Sequence, residues 1–106
     1  MALSKAEIYF NFEKAKKQAT ELENVANRIS RLASSDLNRT MQTISVNWKG
    51  DNASAYLKKG NKLEQEILDT AKALRRTASD IRQIAKNMYD AEMRALEIAQ
   101  RRTYNS

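Results

Sequence analysis

Side chains able to carry covalent or acid–base chemistry are sparse in this sequence. It has no His and no Cys, which removes the imidazole base, the zinc–histidine site, the thiolate nucleophile and the disulfide. Carboxylates remain, yet Glu64 with Asp69 and Glu92 with Glu97 have spacings that do not stack them on one helical face. Ser34-Ser35-Asp36 and Asp51-Asn52 offer oxygens, but not the regularly spaced acidic loop of a calcium hand. The expectation is a protein that is not an enzyme and uses no metal or cofactor.

Charge is the next chemistry to weigh. Nineteen Lys and Arg against 13 Asp and Glu give a net charge of +6, enough to draw a protein toward acidic partners and also ordinary for solubility. Lys14, Lys16, Lys17, Arg28 and Arg31 make basic turns in the first half, and Lys58, Lys59, Lys62, Arg75 and Arg76 in the second. Glu13, Glu21, Glu23, Glu64, Glu66 and Asp69 interrupt both runs, and no clustered aromatic stacking platform accompanies them. A basic helical nucleic-acid-binding protein is therefore the alternative reading, one that a steep salt dependence of binding would mark.

The elements that carry these residues read as helix. Pro is absent and Gly occurs twice in 106 residues, while Ala, Leu, Glu, Lys, Gln and Arg supply strong helix preference. A capping box opens the first helix, Ser4 toward the Glu7 amide and Glu7 back toward the Ser4 amide, with Leu3 placed to staple on Ile8. From Ile8 to Ile44 apolar or small residues recur at steps of three and four through Leu22, Ile29 and Leu37. A second seam runs from Ala53 through Gly60, Leu63, Ile67, Leu74, Ile81 and Met88, broken by a charge only at Glu92. Val25, Leu32 and Phe10 widen the first apolar face, as expected of a helix that touches more than one neighbour.

Between the seams lies Val46-Asn47-Trp48-Lys49-Gly50-Asp51-Asn52, where Gly50 can reverse the backbone and Asp51 or Asn52 can cap a new helix. The fold expected is all-α: one domain over residues 1–106, with helix one at about 5–46, a turn at 47–51 and helix two at about 52–102. A turn centred on Trp48 and Lys49 sets residue i opposite about 97 minus i and leaves the end of helix two as an overhang. A single hairpin has one seam and must offset about 1–2 kcal/mol of ordering entropy per residue. This argues for dimerisation into an elongated four-helix bundle, so Leu22, Ile29, Leu37, Leu63, Ile67, Leu74 and Ile81 are the candidate packing and dimer seam. No run approaches the roughly 20 apolar residues of a membrane span, and the N-terminal residues continue the helical pattern, so no transmembrane segment or cleaved signal peptide is expected.

Trp48-Lys49-Gly50, near the middle of a chain of this length and between two helices, resembles the Trp-X-Gly turn of the WXG (ESAT-like) family of type VII secretion systems. The resemblance covers about residues 4–100. It implies a helical hairpin that pairs with itself, with a cognate helical protein or with the N-terminal domain of a larger effector. It also implies handling by the type VII machinery, with export from the cytoplasm and no cleaved signal peptide. Trp48 and Gly50 match the family's turn residues, Lys49 its variable position, and Trp48 reads as a hydrophobic plug of the hairpin end or as a partner-facing anchor or export contact. The basic charge departs from the acidic members of the family and favours an acidic helical partner. The resemblance further implies a C-terminal helical export signal, which Met88, Glu92, Ala95 and Ala99 fit in spacing. The stricter form that begins with Tyr is not met, because Met93 stands four residues after Tyr89.

Overall fold

The Ser4 cap begins the first helix as its residues dictate: Ser4 Oγ accepts the Glu7 amide at 3.2 Å, and the Ser4 carbonyl accepts the Ile8 amide at 3.0 Å. In the computed structural model, which describes residues 3–105, all elements are helical and form an antiparallel hairpin. The first arm consists of α1 (Lys5–Arg31), a π-helical segment (Leu32–Leu37) and α2 (Asn38–Asn47), and the second is α3 (Asp51–Asn105). The first arm is thus interrupted where one continuous helix was expected, and the second runs a few residues longer.

A phase argument accounts for the π segment. Buried alanines recur every seven residues along the first arm, at Ala19, Ala26 and Ala33, but the next buried position is Met41, one residue late. At about 100° per residue, an eighth residue would turn an α-helical side chain well off the seam. A π turn absorbs one extra residue and restores the phase. Asn38 marks the site, its amide directed at the carbonyls of both Ala33 and Ser35. Hydroxyls flank it: Ser34 Oγ donates to the Ser30 carbonyl at 2.8 Å and Thr40 Oγ1 to the Asp36 carbonyl at 3.0 Å.

Two compact units divide the chain: Leu22–Arg76, which contains the turn, and Met1–Glu21 with Thr77–Ser106, which contains both termini. In the turn unit the buried side chains are Ala26, Ala33, Met41, Ala53 and Ala71, and in the terminal unit Ile8, Ala19, Ala78 and Ala85. Small residues at these positions let two helix backbones approach closely, since interaxial distance follows the side chains at the contact. Gly60 extends this logic, because a Cβ there would overlap the side chain of Met41, itself only 7% exposed.

Register also departs from expectation. Phe12 stacks on Tyr89 in the terminal unit and Met41 lies against Gly60 in the turn unit, in each case about one helical turn further along α3 than 97 minus i. Asn47 still belongs to α2 and α3 starts at Asp51, which centres the reversal on Lys49 and accounts for about one residue of the shift.

Candidate interaction surfaces

At the turn, the Trp48 backbone is extended (φ −128°, ψ 121°) and its amide donates to the Ile44 carbonyl at 2.8 Å, closing α2. Gly50 then takes φ +109°, in the region that L side chains rarely adopt. Nothing lies within 4 Å of where its Cβ would be, so backbone conformation rather than crowding selects glycine. Its carbonyl accepts the Ser54 amide at 3.1 Å, starting α3. Trp48 remains 45% exposed and packs on Tyr56, ring centroids 5.4 Å apart and tilted by 53°. Lys49 and Val46 are exposed beside it. Sequence reasoning missed Tyr56, whose i+8 relation to Trp48 acquires meaning only once the chain reverses.

The seam residues singled out from sequence do not form the most buried line. Leu22, Ile29, Leu37, Ile67, Leu74 and Ile81 are half-buried, and Leu63 is 48% exposed. They flank the alanine line rather than fill it. Within the turn unit, Leu22, Val25, Ile29 and Leu32 follow each other at steps of three and four along one side of α1, continuing into the first π residue. Leu63, Ile67 and Leu74 follow on α3 at steps of four and seven, so each helix presents an apolar stripe beside its small-residue seam. The opposite flank is polar. Arg75 donates to Asn27 Oδ1 at 3.1 Å and to Ser30 Oγ at 3.0 Å, tying α3 to α1.

The terminal unit has a comparable tie, Arg82 to Thr20 Oγ1 at 2.8 Å, and in addition a cleft. Ile8, Asn11, Phe12, Ala15, Ala85, Met88, Tyr89 and Glu92 line about 200 Å³. Phe12 and Tyr89 form one wall, with centroids 4.8 Å apart, and the Lys16 ammonium sits 4.7 Å over the Phe12 ring while pairing with Glu13 at 3.0 Å. Two of the four C-terminal candidates, Met88 and Glu92, lie in this cleft, and Ala95 and Ala99 are exposed further along α3. Glu92 therefore faces Ile8 and Asn11 instead of standing in a free overhang, as the later register requires. Its half-burial leaves the carboxylate able to meet a cationic group.

Among the described residues no group of three or more His, Cys, Asp or Glu could hold a metal ion, and no helix is long and apolar enough to cross a membrane. No curated protein and no solved structure matches the chain. The family described as "WXG100: Proteins of 100 residues with WXG" matches over residues 7–93, from the first turn of α1 to just past Glu92. Its members are small and non-catalytic, and this protein is not an enzyme. By that match the chain belongs to the WXG100 family, the small ESAT-like helical proteins associated with type VII secretion.

Proposed function

We propose that this protein works as a type VII export substrate that pairs through an apolar helix flank, either with itself or as the escort of a cognate helical protein or effector domain. The observation that carries the reading is the flank in the turn unit. Leu32 is 52% exposed and Leu63 48%, and five more Leu, Ile and Val side chains beside them are only half-buried. Apolar surface contributes about 25 cal/mol per Å² when removed from water, and a contiguous patch of it on a soluble helix pair is the mark of an interaction surface. A second hairpin laid on this flank completes a four-helix bundle, with ridges of one pair seated in grooves of the other. Export proceeds without a cleaved signal peptide, from the cytoplasm.

The face of Met88, Glu92, Ala95 and Ala99 is the proposed export contact. Its test separates recognition from folding. Glu92→Gln and Met88→Ala are expected to retain helicity by circular dichroism and to lower the secreted-to-intracellular ratio in cells that carry the secretion system. Unchanged export in both variants, and in a deletion after Asp90, defeats this assignment.

A further inference from the structure

The positive charge of the chain is unevenly placed. Between Leu37 and Leu63 stand Arg39, Lys49, Lys58, Lys59 and Lys62 against Asp51 alone, a net +4 of the chain's +6 gathered around the turn. All six side chains are exposed, and none of the five cations is ion-paired to a described residue. Asp51 is the first residue of α3, where a carboxylate answers the partial positive charge of the helix N-terminus. Cα–Cβ bonds tilt toward the N-terminus of a helix, and in α3 that end is the turn. Lys58, Lys59 and Lys62 therefore lean back toward it from within about three helical turns, whereas Arg39 on α2 leans away. Lys49 lies in the turn itself.

The same end carries apolar surface that the hairpin leaves uncovered: Val46 is 72% exposed, Tyr56 61% and Trp48 45%. The terminal unit treats its aromatic pair differently. There the Lys16 ammonium lies over Phe12 and is itself neutralised by Glu13, while the cations around Trp48 and Tyr56 remain unpaired. Rings with a polar atom settle at the boundary between headgroups and acyl chains, and lysine stems lie along apolar surface with their ammonium groups kept in the polar layer. We propose that the turn end docks on an anionic lipid surface, with Val46, Trp48 and Tyr56 entering the headgroup layer and Lys49, Lys58, Lys59 and Lys62 meeting lipid phosphates. The contact is peripheral, since no described helix is long and apolar enough to cross a membrane. Nucleic acid offers phosphates too, but two features of this end favour lipid. The rings are tilted by 53° and pack on each other, which leaves no parallel platform for successive bases, and Val46 is aliphatic, with no ring to stack. The proposal uses neither the apolar flank nor the face of Met88 and Glu92, and so stands apart from the pairing and export readings.

Trp48 is the only tryptophan, so its emission reports docking of the full chain without a label. Vesicles of equal parts phosphatidylcholine and phosphatidylglycerol are expected to shift that emission to shorter wavelength and to carry the protein down on sedimentation. Vesicles of phosphatidylcholine alone should do neither, and added salt should reverse the binding. Lys58→Glu with Lys59→Glu is expected to lower the partition coefficient at least about tenfold. Lys14→Glu with Lys17→Glu makes the same change of net charge at exposed positions of the terminal unit and is expected to leave it nearly unchanged. Val46→Asp tests the apolar contact and should weaken binding severalfold, with helicity by circular dichroism retained in every variant because each position is exposed. Equal losses in the two lysine pairs would mark diffuse attraction of a basic protein and overturn the assignment, as would binding that leaves the Trp48 emission unshifted. Affinity for a polydeoxythymidine strand with none for the anionic vesicles overturns it in favour of nucleic acid, and affinity for neither overturns it outright.

Discussion

The alanine line and the leucine–isoleucine flank of the turn unit lie side by side on the same helices and differ in what they can do. Ala26, Ala33 and Ala71 are fully buried, yet each removes little more than one methyl from water, about 0.8 kcal/mol for a group of that size. Leu22, Ile29, Ile67 and Leu74 carry several times that apolar area and keep part of it exposed. Small residues therefore bring the two helices close, while the larger ones beside them stay partly exposed. Hydrophobicity alone does not locate the core of a closely packed helix pair; the tightest contact goes to the side chains that permit it, and the greasiest ones are displaced to its edge.

The largest effect that can break this comparison is a charge in the seam. Ala71→Asp leaves an uncompensated carboxylate between two helices that have no room for water, and is expected to cost about 3–5 kcal/mol, enough to abolish cooperative unfolding in urea monitored by circular dichroism. A smaller effect sharpens it. Leu74→Ala removes a side chain that the hairpin itself only half buries, so folding stability of the isolated chain should fall by about 1 kcal/mol, well short of a fully buried leucine. A loss of several kcal/mol in the isolated chain would place Leu74 in the core and erase the distinction between seam and flank.

Much of this was legible in the residues. Ser4 with Glu7 announced the first helix, Trp48-Lys49-Gly50 announced the reversal, and the absence of Pro made two long arms the only economical reading. The two seams held the alanines together with the leucines and isoleucines, but a three-and-four periodicity does not say which of two neighbouring lines is buried and which flanks it. The π segment left one trace, the eight-residue step from Ala33 to Met41. A three-and-four pattern through Leu37 conceals that step, because 33, 37 and 41 satisfy it without any bulge. Register was misjudged because counting back from the turn cannot foresee packing: the bounds of the turn account for about one residue, and the contacts of Phe12 with Tyr89 and of Met41 with Gly60 are tertiary. Contacts made only after the reversal, Trp48 on Tyr56 and Arg75 on Asn27 and Ser30, had no local signature.

The division between a seam that folds the hairpin and a flank that binds a partner is tested most directly by Leu32→Lys with Leu63→Lys. Both residues are about half exposed, so the substitution adds charge to the flank without driving any into the seam. Sedimentation equilibrium and circular dichroism on the same samples give the answer: helicity within a few per cent of the unmodified protein's, together with loss of the self- or cognate-associated species at micromolar concentration, is the predicted result. Association as tight as before, or helicity lost together with it, would contradict the account.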